Sequence, residues 1–161
     1  MAAVNDVSVA HAGSEDMRGR TFQQLIAGQL VDGARQQEVI NPATGASFAV
    51  APVADAAQVE KAVAAAAAAF VTWKDTSLAD RVSVVLAIAD AIEARREEIA
   101  TIITLENGKP IEAARGDVDL ALMWARQVTD FTFAPELLRD NDAERIEVHH
   151  RPLGVVAAII P

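Results

Sequence analysis

Apolar residues recur every three or four positions over most of residues 55–134, and this spacing predicts amphipathic helices. Asp55 starts the first helix, because its carboxylate can cap free backbone amides and Gln58 follows three residues later, as in a capping box. Ser77 with Asp80 starts the second helix in the same way. The positions expected to face the core are Val59, Val63, Ala66, Phe70, Val82, Val85, Leu86, Ala89, Ile92, Ile99, Ile102, Ile103, Ile111, Ala114, Val118, Leu122, Ala125 and Val128.

Charged residues, glycine and proline divide the helical region further. The charged stretch 93–98 is expected to break or bend the second helix and to face water, since a run of charges is usually a solvated surface. Asn107-Gly108 ends this helix, and Pro110 suits the first position of the next one. Pro135 then marks the end of the last helix.

The residues before the first helix have the pattern of short strands. Residues 22–31 read as extended, with turn signals at Gly28 and at Asp32-Gly33. We expect residues 38–40 to pair back with them in antiparallel fashion. Asn41–Gly45 has the composition of a turn, and residues 48–52 continue as a third short strand.

Two strands of different character are predicted at the end of the chain. Ile146 and Val148 alternate with polar residues, which indicates a strand buried on one side. Residues 153–161 form a nearly continuous apolar run after a proline, which is typical of a strand buried on both faces of a parallel sheet. Such a strand needs neighbouring strands and a crossover helix, so we expect the 161 residues to be the opening section of a larger α/β protein.

Composition narrows the class of function. The 161 residues are 52% apolar and carry a formal net charge of −9, with a pI near 4.7. This charge repels nucleic acid and anionic membrane surfaces, so neither is an expected partner. No apolar run reaches the ~18 residues of a membrane span, and the first 20 residues lack the pattern of a signal peptide. We therefore expect a cytoplasmic protein.

Candidate chemistry is sparse when spacing alone is considered. The chain has no cysteine, which excludes a thiolate nucleophile or thiolate metal site within these residues. His149 and His150 would point to opposite faces of a strand and cannot chelate one metal together. Glu106 at a helix end could ligate a hard cation, although a lone carboxylate there is usually just solvent-exposed. The glycines form no dinucleotide fingerprint, so spacing alone identifies no active site.

Several segments taken together resemble the amino-terminal part of the NAD(P)-dependent aldehyde dehydrogenase superfamily. Their order and spacing follow that family from about Leu25 to the end of the chain. The matching residues are Ile40-Asn41-Pro42-Ala43-Thr44-Gly45, Ala62-Val63 through Ala69-Phe70 with Trp73, Arg81, Thr104-Leu105-Glu106-Asn107-Gly108-Lys109-Pro110, Pro152-Leu153-Gly154-Val155-Val156 and Ile159-Ile160-Pro161.

The resemblance implies an α/β fold: the helical amino-terminal part of a Rossmann-like cofactor domain, truncated at its first core strand. It divides the chain into a flexible tail (residues 1–20), the amino-terminal part of the cofactor-binding domain (21–139), the first strand of an oligomerisation arm (140–152) and the first strand of the Rossmann-like sheet (153–161). The family sequence normally continues Trp-Asn-Phe-Pro, and that Asn supplies a hydrogen-bond donor to the reaction's oxyanion.

The resemblance also implies site residues. Ile159, Ile160 and Pro161 match positions that line the nicotinamide cofactor's groove. Backbone oxygens matching Val39 and Ile40, with a carboxylate matching Glu106, hold a monovalent cation in family members. The family commonly has Asp at this last position, and Glu is longer by one methylene.

The function implied for the full-length protein is oxidation of an aldehyde to a carboxylic acid with NAD or NADP, in a homo-oligomer (dimer or tetramer). The implied mechanism is attack by a cysteine, hydride transfer, and hydrolysis of a thioester activated by a glutamate. These 161 residues lack that cysteine, so alone they are expected to be inactive. One alternative is a catalytically dead binding module that docks onto an intact homologue's oligomer. Another is an alanine-rich helical domain of unrelated function.

Overall fold

The computed structural model describes residues 20–160, in which four helices accompany three small sheets. The expected flexible tail, except Arg20, and the expected cofactor residue Pro161 therefore lie outside the described residues. The strands are β1 (Arg20–Thr21), β2 (Gln24–Ile26), β3 (Gln29–Val31), β4 (Arg35–Ile40), β5 (Ser47–Val53), β6 (Glu136–Asp140) and β7 (Arg145–Val148). The helices are α1 (Ala56–Trp73), α2 (Leu78–Ala94), α3 (Arg96–Asn107) and α4 (Ile111–Gln127), followed by a 3-10 turn (Val128–Asp130).

The helix boundaries follow the capping residues. Asp55 accepts a hydrogen bond from the backbone N–H of Gln58, and the Gln58 side chain accepts one from the Asp55 N–H, which completes the predicted capping box. The charged stretch does break the second helical pattern, because α2 ends at Ala94 and α3 begins at Arg96. Gly108 ends α3 in the left-handed conformation, with φ of 79°, which glycine adopts without steric cost.

Strand pairing at the amino terminus differs from the prediction. β4 pairs with β5 in antiparallel fashion, and not with residues 22–31, so the predicted pairing of residues 38–40 is wrong. The turn at Asn41 accounts for this, since the Asn41 carbonyl accepts the Gly45 N–H at 2.8 Å and folds β5 back onto β4. Residues 24–31 instead pair within themselves as the β2–β3 hairpin.

Two clusters of buried side chains hold the described residues together. The larger one is built by α2, α3 and α4 around Ala89, Ala100, Ala114, Val118 and Leu122. Its small side chains allow close approach of the three helices. In the smaller cluster, Phe48 and Ala49 of β5 pack against Phe22, Val39, Ile102 and Leu105. This second cluster fixes the sheet to α3.

The predicted inward face of α1 is not buried. Val59 and Val63 are each 52% exposed, and α1 has no buried residue. Helical periodicity identifies which residues share a face. Burial of that face also needs another element packed against it, and the described residues provide only part of such an element. The prediction of the helix is thus confirmed, and the predicted inward position of this face is wrong for the described residues.

The chain after α4 contains one strand that the sequence pattern did not predict. α4 ends at Gln127, earlier than the expected end at Pro135, and β6 then pairs with β7 in an antiparallel hairpin. Residues 149–160 form no strand, and Ile159 and Ile160 are 94% and 83% exposed. A strand requires a paired neighbour, and no described residue provides one, so burial on both faces stays a prediction for the larger sheet. The role of residues 153–161 in a larger sheet stays a prediction.

Candidate functional site

The predicted cation ligands lie on two elements that meet at the smaller cluster. Val39 near the end of β4 and Leu105 in the last turns of α3 both pack against Phe48 and Ala49. Glu106 follows Leu105 directly and has an exposed side chain. The β4–β5 register shifts between Val39 and Ile40, and such an irregularity disrupts the regular use of backbone groups in a ladder. The fold therefore brings the two segments that carry the predicted ligands to the same cluster.

The donor chemistry of this region suits a hard cation, but nothing in the structure completes a cation site. Backbone carbonyl and carboxylate oxygens are the ligands that such cations prefer. The described residues hold no group of three or more histidine and acidic side chains placed for a metal. The Thr104 hydroxyl is buried without a hydrogen-bond partner among them. Residues two apart on a helix face different directions, so this oxygen does not add to Glu106. The cation site stays a prediction.

The predicted cofactor residues lie at the surface. Ile159 and Ile160 are largely exposed, so no described residue forms the opposite wall of a groove against them. A short stretch upstream, Gly154 has φ of 105°, and a side-chain carbon added there would approach the Phe70 ring to 3.9 Å. Residues 153–160 thus pass close to the end of α1 before they reach the two isoleucines. Their role in cofactor binding stays a prediction.

Glu98 is the centre of an ion-pair cluster that ties β1 to α3. Its carboxylate accepts hydrogen bonds from Arg95, at 2.8 and 3.0 Å, and from Arg20, at 2.7 Å. The Glu98 side chain is only 9% exposed. The hydrogen bonds from Arg95, followed by the one from Arg20, lower the pKa of Glu98 to about 2 against the opposing effect of desolvation. This carboxylate is saturated by its partners and therefore serves structure, not proton transfer.

A second ion-pair network joins α3 to α4 at the surface. Arg96 on α3 donates two hydrogen bonds to Asp119 on α4, at 2.6 and 2.7 Å. Arg115 on α4 pairs in turn with Glu97, and its hydrogen bond lowers the pKa of Glu97. These carboxylates are about half exposed and solvent screens their charges, so the pairs add little to the stability of the helix pair.

A groove that sequence reasoning missed lies between the start of α2, the loop after the 3-10 turn and the segment after β7. We call it the arginine groove. It encloses about 620 Å³, within the range of about 300–1,000 Å³ typical of small-molecule sites. The start of α2 and the loop after the 3-10 turn are about 50 residues apart in sequence, and that loop and the segment after β7 are about 20 apart. No local sequence motif could therefore predict the groove. The residues lining the arginine groove are Leu78, Arg81, Thr132, Phe133, Ala134, His150, Arg151 and Pro152.

The side chains of the arginine groove combine positive charge with an apolar wall. Arg81 donates two hydrogen bonds from Nε and a terminal nitrogen to the Thr76 carbonyl, at 3.0 and 2.8 Å. The His150 ring meets the Phe133 ring edge-on, with centroids 5.8 Å apart. Arg151 is exposed, and no acidic residue lines the groove. No described helix is long and apolar enough to cross a membrane.

Comparisons with known proteins relate this chain to aldehyde dehydrogenases. The model of the aldehyde dehydrogenase family matches residues 30–161. The chain is 35% identical over 133 residues to a non-phosphorylating aspartate-semialdehyde dehydrogenase from Halomonas elongata, which is 81% of this chain and 27% of that protein. It is 40% identical over 126 residues to a succinate semialdehyde dehydrogenase [NAD(P)+] from Escherichia coli, covering 76% of this chain and 27% of that protein.

A solved structure supports the same likeness in three dimensions. An NAD-dependent aldehyde dehydrogenase from Sinorhizobium meliloti superposes with a TM-score of 0.65 at 35% sequence identity, over 77% of this chain and 27% of that chain. The chain spans about 27–30% of the length of the curated relatives that it matches.

Proposed function

Because this chain belongs to the aldehyde dehydrogenase family, we propose that it forms the amino-terminal part of an enzyme that oxidises an aldehyde to a carboxylic acid with NAD or NADP. The observation that carries the proposal is the family match over residues 30–161, supported by the fold likeness to an NAD-dependent aldehyde dehydrogenase. We further propose that the enzyme is a homo-oligomer in which the β6–β7 hairpin belongs to the oligomerisation arm.

The substrate class that the relatives support is an aldehyde that also carries a carboxylate. The relatives' names mention aspartate semialdehyde, malonate semialdehyde and succinate semialdehyde. We infer that a panel of such semialdehydes, with an unsubstituted aliphatic aldehyde for comparison, is the appropriate first test of the assembled enzyme.

The chain's own contribution is to hold and shape the cofactor domain, not to perform the covalent step. Its 161 residues contain no cysteine, and the nucleophile of the proposed mechanism is a thiolate. Ile159, Ile160 and Pro161 would contact the cofactor, and Val39, Ile40 and Glu106 would hold a monovalent cation beside the smaller cluster. When bound, NAD or NADP supplies the hydride acceptor.

A chimera tests the proposal. The matching segment of the Escherichia coli relative is replaced by residues 30–161, and reduced cofactor is followed by its absorbance with each semialdehyde. We expect activity well above that of the relative's remainder alone. A second chimera, carrying the matching segment of the Halomonas elongata relative at the same junction, shows whether the junction is tolerated. If that control is active and the first chimera folds but is inactive, the proposal is wrong.

The binding-module alternative makes a different prediction in the same assay. A module that docks onto an intact oligomer would bind the complete Escherichia coli enzyme when added as a separate chain. An amino-terminal part of an enzyme would instead function only when joined to the remainder. Analytical ultracentrifugation of the mixture separates the two, since only the docking module would sediment with the intact enzyme.

A further inference from the structure

We propose that the arginine groove binds small organic carboxylates, with the anionic group beside Arg81 and Arg151 and the apolar body against Phe133. This site goes beyond the proposed function, because neither the cofactor residues nor the cation residues line it. Three observations carry the inference: two arginines without carboxylate partners, the way one of them is held, and the apolar wall opposite them.

The first observation is where the unpaired arginines lie. The chain has 23 acidic residues and 14 basic ones, so an arginine in this protein readily finds a carboxylate. Among residues 20–160, Arg35, Arg81 and Arg151 form no ion pair, and two of these three line the arginine groove. The arginines that do form ion pairs are Arg20, Arg95, Arg96, Arg115, Arg126, Arg139 and Arg145.

The second observation is how Arg81 is held. Its two hydrogen bonds to the Thr76 carbonyl occupy two of the five guanidinium N–H donors. They fix the plane of the guanidinium and leave three donors without a partner among the described residues. A preorganised guanidinium loses less conformational entropy when it binds a carboxylate. Asp80, the nearest acid along the chain, is instead hydrogen-bonded to the Ser77 hydroxyl at 2.7 Å.

The third observation is the apolar wall. Leu78, Phe133, Ala134 and Pro152 line the same groove. The edge-on contact between Phe133 and His150 orients the phenyl ring and places the imidazole beside it. A purely inorganic anion would leave this wall in contact with water. A carboxylate attached to a ring or an aliphatic chain would cover the wall and pair with the guanidinium groups at once, which is the arrangement of typical small-molecule sites.

The test is a titration of the full 161-residue chain with benzoate, followed by two-dimensional NMR of backbone amides and arginine side chains. We expect saturable shifts confined to the arginine groove, with a Kd on the order of 1 mM, the affinity range of a fragment-sized ligand. Benzyl alcohol has the same apolar body without the charge, and inorganic phosphate has charge without the body. We expect each to bind at least about tenfold more weakly than benzoate.

Matched variants show whether the contact is specific. Arg151→Gln should weaken benzoate binding about tenfold, the loss of one charge-assisted hydrogen bond, and Arg151→Lys should recover part of it. Arg35→Gln removes an equally unpaired arginine outside the groove and should leave the Kd unchanged. Because Arg151 and Arg35 are both exposed, neither change disturbs a buried contact. The proposal is overturned by non-saturable shifts, by benzyl alcohol binding as tightly as benzoate, or by equal losses in the two glutamine variants.

Discussion

Neutralising Glu98 should destabilise the fold more than neutralising any surface carboxylate of the same helix. The Glu98 carboxylate accepts three hydrogen bonds from two arginines, and its side chain is 9% exposed. Glu98→Gln keeps the shape of the side chain and one acceptor oxygen but removes the charge. The neighbouring variant Glu97→Gln is the matched control, because Glu97 also pairs with two arginines but is 52% exposed.

The size of the effect follows from the pKa of Glu98. The pKa falls from 4.5 to about 2, chiefly through the Arg95 hydrogen bonds, and each unit is worth about 1.4 kcal/mol. The upper limit of the stabilisation by the Glu98 charge is therefore about 3 kcal/mol. Hydrogen bonds to charged groups typically contribute about 1.5–3 kcal/mol. Since glutamine retains one acceptor, we expect Glu98→Gln to lower the free energy of unfolding by about 2 kcal/mol at pH 7. Glu97→Gln should lower it clearly less, because the Glu97 side chain is half exposed and solvent screens its ion pairs.

The pH dependence gives the effect a signature. The pKa of Glu98 is lower in the folded state, so its stabilisation is complete above the unfolded value of 4.5 and is lost as the pH falls through about 2. Urea unfolding followed by far-ultraviolet circular dichroism measures the difference between the parent chain and Glu98→Gln. We expect the full difference at pH 7 and less than half of it near pH 3. Equal losses in the two variants, or a difference that does not change with pH, would refute the reasoning.

Three further changes act on other parts of the chain. Ala27 has φ of 54° in the β2–β3 turn, a conformation that asparagine adopts more readily than alanine. Ala27→Asn should therefore raise the free energy of unfolding in urea by about 0.5–1 kcal/mol. An unchanged or lower free energy would contradict the turn geometry. A side-chain carbon on Gly33 would lie 2.6 Å from the Val53 backbone nitrogen. Gly33→Ala should therefore lower the free energy of unfolding in urea by about 1–3 kcal/mol. An unchanged free energy would contradict this close approach. Ile159 and Ile160 are largely exposed, so the chain should self-associate. The double variant Ile159→Ser, Ile160→Ser should have a lower mass in light scattering than the parent chain. A monomeric parent chain would contradict this prediction.

Features set by local chemistry could be predicted from the sequence. Asp55 and Gln58 form the capping box because their spacing alone satisfies the free amides of the first turn. Gly108 ends α3 because the left-handed position there favours glycine, and a side-chain carbon at Gly108 would also lie 2.9 Å from Pro42. The break at Arg95 follows from the run of charges around it. Each of these features needs only residues close to one another along the chain.

Features set by distant contacts could not be predicted. Residues 38–40 were predicted to pair with residues 22–31, but the Asn41 turn brings β5 back to pair with them. β6 escaped notice because Leu137 and Leu138 are adjacent and both about half exposed, so it lacks the alternation that marks a half-buried strand. The arginine groove depends on segments that meet only in the folded chain. The family resemblance, in contrast, is confirmed. It depends only on the order and spacing of motifs along the chain and needs no knowledge of distant contacts.

Hydrogen exchange of residues 155–160 tests most directly whether this chain is the opening section of a cofactor domain. These residues form no strand in the described structure, and both isoleucines are largely exposed. In the isolated chain their amides should exchange as fast as those of an unstructured segment. In the active chimera with the Escherichia coli relative they should become as protected as the core of that enzyme, because the remainder would supply the neighbouring strands. Fast exchange of these amides in a folded, active chimera would contradict the account, since the apolar run would then not be a core strand.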